Sequence, residues 1–209
     1  DDIMFFEQNV IPCFNLEGKI IMSDRNQIAY APNGNGSLFE ALKDSEVLSN
    51  MESRGLKYFH IHGIDNILIK VGDPLFVGFC IEKQYDCGIK VVEKNDPNER
   101  VGVVCVSNGV TSVVEYSEMS MDQQNMRDLQ SGRLIYNTGN ICDHFLTMEA
   151  LKKAIYNFSD KLPNHGALKK IPSIDEEGKR TNPPIPNGIK LEKYIFDIFP
   201  CFQNIGVFR

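Results

Sequence analysis

The stretch VGVVCVSNGVTSVVE, Val101–Glu115, restricts the fold more than any other part of the sequence. Two runs dense in β-branched residues, Val101–Val106 and Val110–Glu115, flank Ser107-Asn108-Gly109. An Asn-Gly pair supplies the two positive-φ positions that a tight hairpin demands, so two neighbouring antiparallel strands are fixed here. The remaining segments have to extend that sheet or cover it. Strand candidates are Gly18–Met22 and Gln27–Tyr30 around a polar turn at Ser23–Asn26, a buried strand at Lys57–Gly63, Ile89–Glu93, and Arg133–Tyr136 leading into a turn at Asn137–Asn140. Helical spacing runs through Leu38–Arg54, where Leu38, Leu42, Val47 and Met51 share a face and Gly55 is the stop. Pro74–Gln84 reads as a helix with Pro in its first turn. Ser120–Gln130 reads as a polar helix with the character of a lid, and Met148–Phe158 as a further helix. Lys170–Pro186 is a polar, Pro-rich excursion turning at IDEEGK. Gly188–Phe199 returns to apolar periodicity, and a helix there sets Lys190 and Lys193 one turn apart. Strands interleaved with helices predict an α/β fold, a mixed sheet flanked by helices. No linker interrupts residues 1–209, which read as one domain. Both ends stand in apolar, mid-domain sequence, so that domain is expected to be incomplete at each.

Composition excludes several functions. At 42 % hydrophobic and 24 % charged, the 209 residues suit a packed core rather than a disordered chain. The net charge is −6 and the longest basic cluster is Lys169-Lys170, too little to follow a nucleic-acid backbone. No apolar run reaches the ~20 residues of a membrane span and no signal peptide opens the chain, so a soluble, cytoplasmic protein is expected. The six Cys (Cys13, Cys80, Cys87, Cys105, Cys142 and Cys201) form no CxxC or Cys/His metal spacing. Reduced thiols are expected.

The candidate functional residues carry weak individual signals. Asp65 follows the Lys57–Gly63 strand, and ligands of open α/β sheets collect at the carboxyl ends of strands. A carboxylate there suits Mg²⁺ or caps the next turn. Pro32-Asn33-Gly34-Asn35-Gly36 lets backbone approach a ligand closely or simply makes a turn. It is neither a Walker loop nor GxGxxG. Glu115-Tyr116 ends a hairpin strand, where an ionised carboxylate can accept two sugar hydroxyls or lie in solvent. Asn140 offers the donor and acceptor that an acetamide needs, or serves as a turn residue. Lys190, Glu192 and Lys193 match a ligand-facing cluster or a solvated face. His60 and His62 share a strand face, but with no third ligand in view they read as core or surface histidines. No Ser/His/Asp or Cys/His triad is present.

In order, these segments carry a resemblance. APNGNGSLFEAL, HIHGIDNILIKVGDPLFVGF, CGIKVVEKNDPNERVGVVC, VVEYSE, GRLIYNTGNICDHF and PNGIKLEKYIFDIF closely resemble eukaryotic-type UDP-N-acetylglucosamine (UDP-N-acetylhexosamine) pyrophosphorylases, from about Phe5 to Phe199. The resemblance implies a Rossmann-like nucleotidyltransferase fold of GT-A type. It also implies a uridylyltransferase reaction: UTP and N-acetylglucosamine 1-phosphate give UDP-N-acetylglucosamine and pyrophosphate, with Mg²⁺ or Mn²⁺ as cofactor. By the same resemblance Gly34 contacts the uridine and Asn35 the ribose or sugar. Asp65 is the metal-binding acid near the phosphates, and Lys94 orients the catalytic site. Gly102 approaches the sugar through its backbone, Glu115 and Tyr116 form a sugar-binding pair, and Asn140 lies near the N-acetyl group. Glu192 binds substrate, and Phe196 lines the acetyl pocket. The family's LxGGxGTRLG loop, the Lys after it, a uracil-reading Gln expected upstream of Phe5-Phe6-Glu7-Gln8, and a phosphate-binding Lys beyond Glu192 are not in the chain. The resemblance therefore implies most of a sugar pocket without most of the UTP clamp, and no turnover by these 209 residues alone. It implies too a sheet edge left unpaired, to be covered by a further segment or another chain. A UDP-glucose or general UDP-sugar pyrophosphorylase, and a non-catalytic sugar-nucleotide-binding module, are the alternatives.

Overall fold

The computed structural model describes residues 2–209. The chain divides into two compact units, Asp1–Asn50 with Ile155–Asp197, and Met51–Ala154 with Ile198–Arg209.

The second unit holds the main sheet. Its strands are β1 (Tyr58–His62), β2 (Cys87–Glu93), β3 (Val103–Ser107), β4 (Val110–Val114), β5 (Thr138–Thr147) and β6 (Ile205–Phe208). They lie in the order β6-β2-β5-β3-β4, with β1 also paired to β5. Only the β6–β2 pairing is parallel, so the sheet is mixed. The expected hairpin is β3–β4: Ser107 faces Val110, and Asn108 and Gly109 take φ of 52° and 78°. The Pro74–Glu82 helix forms as expected, with Asp73 accepting from the Leu75 amide as its N-cap. It packs through Phe76 and Cys80 onto Phe145 of β5. Gly88 makes the close approach possible, since a Cβ there would lie 2.4 Å from the Cys80 sulfur.

Strand β5 departs most from expectation. Arg133–Tyr136 is not a strand. Leu134 only bridges to Arg127, and the strand runs instead from Thr138 through the predicted turn to Thr147. Asn140, Asp143 and His144 break the apolar pattern that marks a central strand, and a bulge between Asn140 and His144 interrupts it further. Cys142 sits in that bulge at φ 54°. Lys57–Gly63 is half-buried rather than buried, because β1 pairs with β5 on one side and with no strand on the other among the described residues. In Ser120–Gln130 only Met121–Asn125 is helical, set by a capping box between Ser120 and Gln123. Met148–Phe158 is helical as expected.

The first unit is built from small ladders. Val10–Pro12 pairs with Tyr30–Pro32, and Gly188–Glu192 lies between His165–Lys169 and Phe14–Asn15. Gly188–Phe199 is thus not a helix throughout: a strand is followed by a 3-10 turn over Ile195–Cys201. Gly18–Met22 does not form a strand; Met22–Asp24 pairs with Gln27–Ile28 instead. Leu38–Arg54 breaks into Leu38–Asp44 and Val47–Ser53 at Ser45, whose extended backbone returns its hydroxyl to the Leu42 carbonyl. Gly55 provides the expected stop at φ 68°. A satellite core gathers Cys13, Ile21, Ala29 and Ile171. All six cysteines are free thiols, and no described helix is long and apolar enough to cross a membrane.

His144 is buried on β5, edge-on to Phe199, and neither ring nitrogen has a hydrogen-bond partner among the described residues. Burial, and then the neighbouring His60, push its pKa down to about 3. The folded state therefore holds the ring neutral where the unfolded chain takes up a proton. The stabilisation is complete above pH ~6.5 and is lost as pH falls toward 3, by up to about 1.4 kcal/mol per pH unit. Urea unfolding at pH 7 and pH 5 should show a shallower pH dependence in His144→Leu than in the wild type. Equal slopes would remove this ring as the source.

Candidate functional site

Two sets of the singled-out residues are assembled, one within each unit. In the second unit Gly102, Glu115 and Asn140 converge. The Asn140 amide donates to the Gly102 carbonyl at 2.8 Å, and a Cβ on Gly102 would lie 2.6 Å from Glu115 Oε1. The absent side chain is what lets the Glu115 carboxylate lie over that backbone. Asn140 is a strand residue, not a turn residue, and its Oδ1 accepts from the Cys142 amide at 3.3 Å. That bond fixes the orientation of the amide group. Tyr116 follows Glu115, and its carbonyl accepts from Gln124 Nε2. A backbone carbonyl, a carboxylate and an oriented amide in one place form a donor–acceptor surface suited to a polyhydroxylated ligand.

Asp65 lies beyond the end of β1 with its carboxylate folded over Gly63, where a Cβ would stand 2.7 Å from Oδ1. The residue is exposed. Among the described residues no three His, Cys, Asp or Glu side chains gather into a metal site. A lone exposed carboxylate fits Mg²⁺ only where ligand phosphates complete the coordination. Lys94, just past the end of β2, is 2 % exposed. Its amide donates to the Asn137 carbonyl, but its ammonium makes no hydrogen bond or ion pair among the described residues. A buried cation without a counter-charge is costly.

In the first unit the Asn33–Ser37 loop is laced to Glu192–Ile195. Lys193 N donates to Asn33 O, Gly36 N to Lys193 O, and Ile195 N to Asn35 Oδ1. Gly34 has φ 80°, and a Cβ there would meet Lys193 O at 2.3 Å and Glu192 Cβ at 3.0 Å. Only glycine fits both the conformation and the gap. Glu192 is paired with Lys190 at 2.7 Å, because a strand places i and i+2 on one side. Lys193 is buried and donates to Glu40 and to Ser159 O. It is a structural cation, not a free one. Phe196 is buried beside the Tyr194 ring, and His165 stacks on that same ring. Gln8 was overlooked in the sequence. Its side-chain amide donates to the Gly34 carbonyl, which puts a group able to read a base edge at the glycine loop. The 26 residues that separate it from Gly34 leave no local pattern to reveal it.

The family model described as UTP–glucose-1-phosphate uridylyltransferase matches residues 1–207. UDP-N-acetylhexosamine pyrophosphorylase-like protein 1 of Homo sapiens is 46 % identical over 205 residues, 98 % of this chain and 40 % of that protein. UDP-N-acetylglucosamine pyrophosphorylase of Saccharomyces cerevisiae is 38 % identical over 201 residues, 95 % of this chain and 42 % of that protein. The solved uridine diphosphate N-acetylglucosamine pyrophosphorylase of Trypanosoma brucei superposes with a TM-score of 0.82 at 31 % identity, covering 97 % of this chain and 41 % of that one. The chain thus spans about two fifths of the length of the relatives it matches.

The two glycines should respond differently to substitution. Gly34→Ala meets backbone in a left-handed conformation and should lower the unfolding free energy by about 1–3 kcal/mol. Gly102→Ala meets the end of the Glu115 side chain and Val113 Cγ1 at 2.9 Å but no backbone, and should displace these side chains with a smaller loss. Thermal unfolding of both variants checks the order, and a Gly102→Ala penalty as large as that of Gly34→Ala would refute it.

Proposed function

The chain belongs to the UTP–glucose-1-phosphate uridylyltransferase family, and on that premise we propose that the whole protein makes UDP-N-acetylglucosamine. A phosphate oxygen of N-acetylglucosamine 1-phosphate attacks the α-phosphorus of UTP, the bond to the β-phosphate breaks, and pyrophosphate leaves. Such a transfer needs positioning and charge neutralisation more than covalent help from the protein. The observation that carries the proposal is the convergence of Gly102, Glu115 and Asn140, a surface suited to sugar hydroxyls and an acetamide. The names of the relatives at 38–46 % identity support the N-acetylated sugar.

The other roles follow the chemistry of each group. Gly34 admits the uridine, Gln8 offers an amide to the base, and Asn35 faces the ribose or sugar. Within the second unit Glu115 and Tyr116 hold sugar hydroxyls; within the first, Glu192 offers a substrate-binding carboxylate and Phe196 an apolar surface suited to an acetyl group. Lys94 offers its unpaired ammonium to a phosphate. Asp65 would hold Mg²⁺ or Mn²⁺ together with phosphate oxygens, and the bound ion would neutralise their charge. The free side of β1 is an edge for a further part of the protein or another chain to cover. The reaction takes place in the cytoplasm, away from membrane and nucleic acid.

Pyrophosphate release by the whole protein should depend on UTP and be faster with N-acetylglucosamine 1-phosphate than with glucose 1-phosphate. The 209-residue chain alone should give none. Preference for glucose 1-phosphate would reassign the sugar, and absence of turnover in the whole protein would reject the reaction. Glu115→Ala should weaken sugar-phosphate binding by about 1.5–3 kcal/mol, the cost of losing a charged hydrogen-bond partner, with little change in unfolding midpoint. Calorimetry showing wild-type affinity would take Glu115 out of the site.

A further inference from the structure

The loop from Gly63 to Asp73 carries Asp65 and is not held by burial. Ile64, Ile67, Leu68 and Val71 are 97, 93, 84 and 77 % exposed, so its apolar side chains give it almost no packing. Its shape rests on polar ties. Within the loop Ile69 N donates to Asn66 O, and Leu68 N to Asn66 Oδ1. Three ties bind the loop to the sheet. Gly63 N donates to Cys142 O at 3.2 Å, Gly72 N to His60 Nδ1 at 2.9 Å, and Asp73 Oδ2 accepts from Lys90 Nζ at 2.5 Å. The first and second bracket Asp65.

The middle tie is chemically specific. A backbone N–H can only donate, so His60 Nδ1 must present its lone pair and the ring proton must sit on Nε2. Nε2 then donates to Asp143 Oδ1 at 2.5 Å. Asp143 is 1 % exposed, and its other oxygen lies 4.0 Å from Lys90 Nζ. His60, Asp143 and Lys90 stand on β1, β5 and β2, three adjacent strands, and Asp73 closes the series at the start of the Pro74–Glu82 helix.

We infer that His60 is a positioning residue for Asp65: held as its Nε2–H tautomer by Asp143, it clasps the far end of the loop through Gly72 and so sets where the Asp65 carboxylate stands. The inference rests on the assignment of Asp65 to the metal–phosphate end of the proposed reaction. It extends that assignment to a residue whose ring is hydrogen-bonded to Asp143 and Gly72 rather than to Asp65.

Three variants of the full-length protein separate the functions of the ring. His60→Asn keeps an acceptor at the Nδ1 position. His60→Gln keeps an amide at the Nε2 position but none for Gly72, and His60→Leu keeps neither. Two readouts avoid turnover: hydrogen exchange of the peptide containing Gly72, and Mn²⁺–UTP affinity from water-proton relaxation. In the Gln and Leu variants Gly72 should exchange about tenfold faster, the loss of one ordinary hydrogen bond, and Mn²⁺–UTP affinity should fall several-fold. The Asn variant should stay near wild type in both. Unchanged exchange in the Gln and Leu variants overturns the clasp. Faster exchange with unchanged Mn²⁺–UTP affinity overturns the positioning of Asp65, as does a wild type that binds no Mn²⁺–UTP. A wild type that binds Mn²⁺–UTP yet releases no pyrophosphate refutes the proposed reaction and leaves the clasp to be judged on the two readouts.

Discussion

The second unit depends on β5 being hydrogen-bonded along both edges. β2 runs along one side, while β1 and the start of β3 share the other. A strand in that position places its side chains by register, and those of β5 are unusually polar. Asn140 meets Gly102 at one end, Asp143 meets His60 near the middle, and Phe145 supports the Pro74–Glu82 helix beyond it. The bulge between Asn140 and His144 lies among these contacts. It turns Cys142 into a left-handed conformation, and the Cys142 carbonyl receives the Gly63 amide at the root of the Asp65 loop. One irregularity in one strand thus serves both the Gly102–Asn140 contact and the acid-bearing loop.

This also explains what was legible in the sequence. The β3–β4 hairpin could be read because Asn108-Gly109 satisfies a local backbone requirement. The Pro74–Glu82 helix could be read because its proline and its Asp73 cap are local too. β5 could not. Its polar residues are stabilised by partners far along the chain: Asp143 by His60, 83 positions away, and Asn140 by Gly102. Without those partners the stretch Asn137–Asn140 reads as a turn. The Lys190 and Lys193 pattern failed for a related reason. Spacings of two and three residues are both present, and only the ladder with His165–Lys169 selects the strand. Most candidate site residues were assigned through the order of motifs rather than any motif alone. Gln8 escaped because its contact with Gly34 has no local signature.

The two glycines show how backbone and ligand chemistry become linked. At Gly34 and Gly102 the missing Cβ makes room for protein groups first: Lys193 backbone in one case, the Glu115 carboxylate in the other. A glycine in such a loop is usually credited with admitting a ligand. Here its immediate effect is to let two chain segments close on each other, so that the groups around it are already placed. This is preorganisation by packing, and it lowers the ordering cost that a bound molecule would otherwise impose.

The Asp65 loop follows the opposite design. Its apolar side chains are exposed and its fixed points are hydrogen bonds donated by the Gly63 and Gly72 amides and one accepted by Asp73 from Lys90. Burial tolerates small displacements, whereas a hydrogen bond weakens steeply with angle and distance. A carboxylate that has to stand at one fixed position is better served by the second kind of restraint. The series from His60 through Asp143 and Lys90 to Asp73 supplies it from the sheet, whose ladders hold His60, Asp143 and Lys90, while Asp73 caps the Pro74–Glu82 helix. The precision of the loop is therefore inherited from the sheet, and the polar residues that made β5 hard to recognise are part of what transmits it.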